Sequence, residues 1–178
     1  MKSILIKEVM IPLSDYATIK QDNTLYEVFQ IFEAHKKEHA HRDAIVVNAK
    51  GQFMGKVTMI DIFRALEPNY TKLDKNYTDG TLTKDYVMNA IKDFNLWIEP
   101  MKDLCERGSA IKVSEVMHLP ETYEFVQEDD SLEMALHVYV MDIHQPLIVK
   151  KGDKITGILR FGDLYEVIRK HMLACPIA

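Results

Sequence analysis

Cysteine is scarce here: Cys105 and Cys175 are the only two, they lie far apart, and they form no C-x-x-C. A reduced interior fits them better than a disulfide framework. Long apolar runs are missing too. No stretch reaches the roughly 18 to 20 residues that span a bilayer. The opening Met1-Lys2-Ser3-Ile4-Leu5-Ile6-Lys7-Glu8 has no long apolar core and no small-residue cleavage site, so a cytoplasmic protein with no membrane association is expected. Positive charge is in deficit, with 22 Lys and Arg against 27 Asp and Glu and a net charge of −5. The densest basic spots, Lys36-Lys37 and Lys150-Lys151, are short, which argues against a nucleic-acid partner. No G-x-S-x-G, Walker A or H-E-x-x-H pattern occurs, so an enzyme is not expected and no catalytic residue is assigned. What is present is apolar bulk: 47% of residues are hydrophobic, enough for a real core.

The two ends of the chain repeat each other. Glu8-Val9-Met10 returns as Glu115-Val116-Met117, Tyr16 as Tyr123, Asp22 as Asp129 and Leu25 as Leu132. Gly55-x-x-Thr58-x-x-Asp61 returns as Gly157-x-x-Arg160-x-x-Asp163. A unit of roughly 55 to 60 residues present twice is too short an array for a solenoid and points to a pseudo-symmetric pair with a cleft between related halves. The second copy is five residues shorter, the difference falling near His35 to Arg42.

Each copy reads as strand, helix, strand, strand, helix. In the first, Tyr16 to Ile19 is extended. Thr24 with Glu27 three residues on forms a capping box, and Leu25, Val28, Phe29 and Phe32 give the helix one apolar face. Ala44 to Val47 is a strand, Asn48 to Gly51 a turn and Phe53 to Thr58 the return strand. A last helix begins near Asp61 and stops before Pro68. In the second copy, Leu132, Ala135, Leu136 and Tyr139 form the stripe. Pro146 to Val149 and Ile155 to Leu159 are the strands, and Asp163 opens a helix to about Lys170. The chain therefore divides into a first unit over 1–68, an insertion over 69–112 and a second unit over 113–178, of α+β class. Thr71 to Gly80 reads as a loop. Val87, Ile91, Phe94, Ile98, Met101 and Cys105 trace an amphipathic stripe. Pro100 breaks it, predicting two helices with the proline in the first turn of the second. These helices are expected to pack on the units rather than to form an exposed docking face.

The Val-Met at each start, the Asp-x-Ser/Thr-Leu helix opening, the Val-Val-type strand and the Gly-x-x-Thr-x-x-Asp at a strand-to-helix junction resemble a pair of CBS domains, a Bateman module. The resemblance covers about Lys7 to Leu66 and Val113 to Lys170. It implies two β-α-β-β-α units packed through their sheets and two symmetry-related clefts. It further implies a homodimeric disc and a module that performs no chemistry itself. Such clefts bind adenosine compounds such as AMP, ADP, ATP or S-adenosylmethionine, and binding biases a protein partner.

The residue chemistry is compatible with such a ligand. At the first cleft the Asp61 carboxylate is suited to accept both ribose hydroxyls, Thr58 to bond phosphate, and the helix start behind it to favour negative charge. The base would slot against strand residues, Ile45 in the first unit and Leu147 in the second, with the backbone near Thr18 reading its edge. The competing roles are an Asp61 N-cap and a plain strand Thr58. At the second cleft Arg160 replaces the hydroxyl while Asp163 remains. Arg160 either clasps phosphate or pairs with Asp163 and fills the space. Phe125, in the place of Thr18, either stacks on a base or occupies the room.

Other clusters have plainer explanations. His35, His39 and His41 are close, but no nearby Cys completes a site, so a solvated loop and no metal are expected. Glu128-Asp129-Asp130 puts negative charge at a helix start. Apolar residues on the last helix of each unit, Phe63, Leu66, Leu164 and Ile168, are candidates for a homodimer face. The remaining alternative function is an interaction protein with degenerate clefts that acts through its central helices.

Overall fold

The computed structural model describes residues 3–35, 42–73, 82–96, 103–141 and 143–174. In chain order the elements are β1 (Ile11–Pro12), β2 (Thr18–Lys20), α1 (Leu25–His35), β3 (Asp43–Val47), β4 (Phe53–Thr58), α2 (Met59–Leu66), α3 (Lys84–Asp93), α4 (Leu104–Ala110), α5 (Val113–Val116), β5 (Phe125–Gln127), α6 (Leu132–Val140), β6 (Leu147–Lys151), β7 (Lys154–Leu159) and α7 (Phe161–Ala174). Each repeat runs β-α-β-β-α. In the first, β2 lies parallel to β3 and β3 antiparallel to β4. In the second, β5, β6 and β7 repeat that pattern.

Local chemistry sets the boundaries. Thr24 and Glu27 exchange backbone contacts, Glu27 Oε2 accepting from Thr24 N at 2.7 Å, so the capping box starts α1 as expected. The hairpin turns carry Gly51 (φ 74°) and Gly152 (φ 59°), a conformation that side chains disfavour. Leu25 and Val28 of α1 are fully buried, Phe32 is half-buried, and Phe29 instead points outward.

The cores do not follow chain order. The segment around β1 leaves its own repeat and joins the second sheet, whose order is β1-β7-β6-β5. Ile6 N donates to Asp130 O (3.0 Å), Leu132 N to Ile4 O (2.8 Å), and Ile6 is buried in the second core. The segment ahead of the second repeat does the reverse. Val113 N donates to Asn23 O (2.8 Å), Leu25 N to Ile111 O (3.0 Å), and Val113 is buried in the first core. His118 and Lys56 then exchange backbone bonds at 2.8 and 3.0 Å. The repeated glycines sit where these exchanged segments cross. A Cβ on Gly55 would lie 2.6 Å from His118 O, and one on Gly157 would lie 2.5 Å from Ile11 O. The glycine shared by both repeats thus permits close backbone approach rather than a turn. The repeated Glu8 and Glu115 side chains accept from Leu5 N and Lys112 N, both at 3.0 Å, and cap the short turns that begin each exchanged segment.

Between the two sheets Tyr16, Ile45, Ile148 and Ile158 form a third buried cluster. Fully burying one such side chain is worth about 1.5–3 kcal/mol, so this cluster binds the units to each other.

The insertion differs from the sequence expectation. The second of its helices, α4, begins at Leu104 after Asp103, so Pro100 is not in its first turn; Pro100, Ile98 and Met101 lie outside the described residues. On α3 the buried residue is Ala90, whereas Val87 of the predicted stripe is exposed. Ile91 and Phe94 are half-buried. α4 does pack on the first unit: Gly108 is buried against the Tyr26 backbone, and Arg107 donates to Leu66 O at 2.9 Å. The thiol of Cys105 is exposed. Among the described residues no helix is long and apolar enough to cross a membrane.

Candidate functional site: two unequal clefts

The repeat symmetry creates two comparable places, each at a β-strand-to-helix junction facing the other unit. They are built differently.

At the first junction Thr58 is the N-cap of α2 and Asp61 its third residue. The Asp61 Oδ2 accepts from Thr58 N (2.9 Å) and Thr58 Oγ1 (2.7 Å). The capping role that competed with ligand binding therefore belongs to Thr58, with Asp61 closing the reciprocal box. The other carboxylate oxygen, Oδ1, lies 3.1 Å from Nε2 of His144. Burial acts to raise the Asp61 carboxyl, but the bonds from His144 and Thr58 outweigh it and hold it below its usual value. Both Asp61 oxygens are thus engaged inside the protein.

Beside Asp61 stands a group of residues that sequence reasoning missed. Lys56 is fully buried, its Nζ 2.5 Å from Glu124 Oε2. It also donates to Pro146 O at 2.8 Å and to His144 O. Glu124 Oε1 meets His118 Nε2 at 2.7 Å, and the His118 and His144 rings stack at 3.8 Å and 13°. Burial depresses the Lys56 ammonium below its ordinary value, and Glu124 opposes that effect. Burial acts to raise Glu124, but the bonds from Lys56 and His118 overcome it and keep the carboxyl below its normal range. One signal pointed here. By strand register Lys56 stands where the second repeat has Ile158, and Glu124 where the first has Ala17. Opposite charges at two inward, otherwise apolar positions mark a pair.

The second junction is open. A cavity of about 420 Å³ is lined by Arg42, Asp43, Met59, Gln145, Pro146, Arg160, Phe161, Gly162 and Asp163. Arg160 Nε and Nη2 clasp Asp163 Oδ2 and Oδ1 at 2.7 and 2.8 Å, and this pairing raises the guanidinium further. Arg160 therefore does pair with Asp163, yet it lines the cavity rather than filling it. On the opposite wall Asp43 accepts from the Tyr16 hydroxyl; burial first, and then the charge of Asp43, push the Tyr16 phenol far above its ordinary value.

The remaining candidates fall elsewhere. Thr18 is exposed, its hydroxyl donating to Tyr16 O at 3.3 Å. Ile45 is buried between the sheets. Leu147 faces the helix-side core; Ile148, opposite Phe125 as Ile45 is opposite Thr18, is its between-sheet neighbour. A one-residue step in a strand exchanges the two faces. Phe125 packs edge-on to Phe53 at 6.3 Å with Lys150 Nζ 3.7 Å above its ring, and it does not line the cavity. Of the eight candidates, the structure gathers Arg160 and Asp163 at one place and Thr58 and Asp61 at the other. His39 and His41 lie outside the described residues.

The chain therefore folds as two β-α-β-β-α units joined through their sheets, each with a strand-to-helix junction facing the other. Residues 6–68 match the CBS domain family. No curated protein matches the chain. Among solved structures it is similar to the CBS-pair protein CBSX2 from Arabidopsis thaliana, at 14% identity and TM-score 0.61, covering 98% of this chain and 100% of that one. The structure of CBSX2 in complex with AMP matches at 16% identity and TM-score 0.60, over 93% and 97% of the two chains. A CBS domain-containing protein of unknown function from Bacillus anthracis matches at 15% identity and TM-score 0.60, over 94% of each. At these identities the likeness is one of fold. The CBS family match is to residues 6–68, and the whole chain has the fold of the CBS-pair structures.

Proposed function

We propose that this chain is a regulatory module that binds an adenosine nucleotide of the AMP, ADP or ATP type in the second cleft, and that it catalyses no reaction. The cavity at Arg160 and Asp163 carries this reading. Its volume falls within the usual range for small-molecule sites, roughly 300–1,000 Å³. It offers two guanidinium groups, Arg42 and Arg160, for phosphate and a carboxylate, Asp163, for ribose hydroxyls. It also opens on the first turn of the 14-residue α7, at Phe161, Gly162 and Asp163, where the helix dipole favours negative charge. That CBSX2 has been solved with AMP supports the same ligand class. The first cleft, where Asp61 is tied both to Thr58 and to His144 of the other unit, is read as the one that stays ligand-free.

The module would act on a separate, unidentified protein in the cytoplasm and work as a homodimer. Exposed Met59, Ile60 and Phe63 on α2 and Tyr165 on α7 support the dimer. Leu66 and Leu164 do not, because they are buried in their own units, and Ile168 packs against the second core.

Calorimetry tests the assignment. One AMP, ADP or ATP per chain is expected, with Asp163→Asn and Arg160→Ala weakening it at least tenfold and Asp61→Asn leaving it within twofold. Loss in Asp61→Asn alone would move the site to the first cleft. Absence of any nucleotide binding at millimolar concentration would favour an interaction protein. That second reading has exposed Leu82, Val87 and Met88 on and beside α3 in its favour.

A further inference from the structure

The cluster at the first cleft has the chemistry of a metal centre. One donor atom from each of His118, Glu124 and His144 lies within 4.8 Å of the other two. The two acids are already oriented. Lys56 holds Glu124 Oε2 at 2.5 Å, which turns Oε1 toward His118 Nε2, 2.7 Å away. Thr58 holds Asp61 Oδ2 through two bonds of 2.9 and 2.7 Å, which turns Oδ1 toward His144. Asp61, so fixed, can support a metal-binding His144 from behind, while Glu124 presents Oε1 as a donor.

His144 supplies a second, independent observation. Its Nε2 faces the Asp61 carboxylate at 3.1 Å, and a carboxylate accepts, so that nitrogen carries the proton. The lone pair is then on Nδ1. That atom is buried and meets no hydrogen-bond partner among the described residues. A buried acceptor without a donor is costly, and an electron-pair acceptor such as a cation relieves the cost. A histidine whose other nitrogen donates to a carboxylate is the usual form of a metal ligand.

We propose that His118, Glu124 and His144 bind a divalent transition cation of the zinc type, with Asp61 and Lys56 positioning the ligands. Two imidazoles and one carboxylate are a zinc donor set, leaving a fourth position for water. Charge agrees: the two carboxylates outnumber the single ammonium of Lys56. Bonds of 2.0–2.1 Å place tetrahedral donors about 3.3 Å apart. The His118–Glu124 contact of 2.7 Å is a hydrogen bond that the ion would replace, His118 Nε2 releasing its proton as the metal binds. The stacked rings must tilt to share an ion, and both are partly exposed, at 26% and 20%, so they have room to do so. Asp61 and Lys56 come from the first repeat and the three ligands from the second, so an ion would fasten one unit to the other.

The experiment is titration of the metal-stripped full chain with zinc alone and with cobalt(II) alone, without nucleotide. One ion per chain with the visible bands of tetrahedral cobalt is expected. His118→Ala and His144→Ala should each weaken binding at least tenfold, and thermal unfolding in metal-free buffer establishes that they are folded. A triple His35→Ala, His39→Ala, His41→Ala variant should bind as wild type. X-ray absorption of the zinc-loaded wild type, which needs no variant, should count two imidazole nitrogens. An oxygen-only shell, unchanged affinity in the His118 and His144 variants, loss in the triple variant, or no binding at micromolar zinc would each overturn the proposal.

Discussion

Removing Glu124 alone should destabilise the protein far more than removing Glu124 and Lys56 together. Both side chains are essentially inaccessible, at 1% and 0% exposure, and Lys56 has no water to turn to. Replacing Glu124 by Leu leaves the ammonium with only the carbonyls of Pro146 and His144. Breaking a buried pair from one side costs about 3–5 kcal/mol, because an uncompensated charge remains. For a chain of this size that is roughly 6–20 °C in Tm, taking about 2–4 °C per kcal/mol. Lys56→Met should fall in the same range, since it leaves the buried carboxylate with His118 as its remaining side-chain partner. The double variant removes both charges and keeps apolar volume. Such replacements are often neutral or stabilising by about 1–4 kcal/mol, and here the second repeat already has Ile158 at the corresponding site. Urea unfolding of the four proteins gives the coupling energy directly. A double variant whose loss equals the sum of the two single losses would refute the idea that the pair's cost lies in its unpaired charges.

Three other outcomes are expected. Gly157→Ala should cost about 1–3 kcal/mol, the usual range for overpacking, because its Cβ meets the Ile11 carbonyl at 2.5 Å and the Met10 sulfur at 2.9 Å; Gly162→Ala, with open space around it, should leave the urea midpoint unchanged or higher. Stability should decline as pH falls below the ordinary carboxyl values of 4.5 for Glu124 and 3.8 for Asp61. Both are depressed in the fold, so their contribution is present above those values and is lost as the pH drops through the folded ones; Asp61→Asn should flatten the slope of unfolding free energy against pH in that range. Ser131→Ala should lower stability by about 1 kcal/mol, since its hydroxyl caps α6 by accepting from Met134 N at 3.2 Å, and thermal denaturation would register the change.

Much of the architecture was legible because it is written locally. A capping box, a hairpin turn and a helical stripe each depend on residues a few positions apart, and the repeat doubled every signal. The first return strand, Phe53–Thr58, agrees with its sequence reading to the residue. The last helix runs on to Ala174, past Lys170, because nothing in its sequence stops it there. The candidate site was half legible. Asp61 and Asp163 were visible as repeat members, but their partners were not. His144 comes from a loop of the other repeat, and no periodicity connects it to Asp61. The buried pair beside Asp61 joins Lys56 and Glu124, residues 68 positions apart that meet only because the two units pack on each other. Strand position alone points to Leu147 and Phe125, and their faces depend on register, which pairing partners fix and a single strand does not.

The exchanged segments also bear on how the chain comes into being. A ribosome releases the first repeat through Leu66 well before Val113, which fills its core, and before His118, which pairs with Lys56. For that interval the first unit has a gap where its last inward segment belongs, and the insertion acts as the tether that delivers it. The second unit has no such wait, because its borrowed strand, Ile11–Pro12, is the first to be made. The half translated first is therefore the half that must wait, until 111–118 has emerged to dock on it.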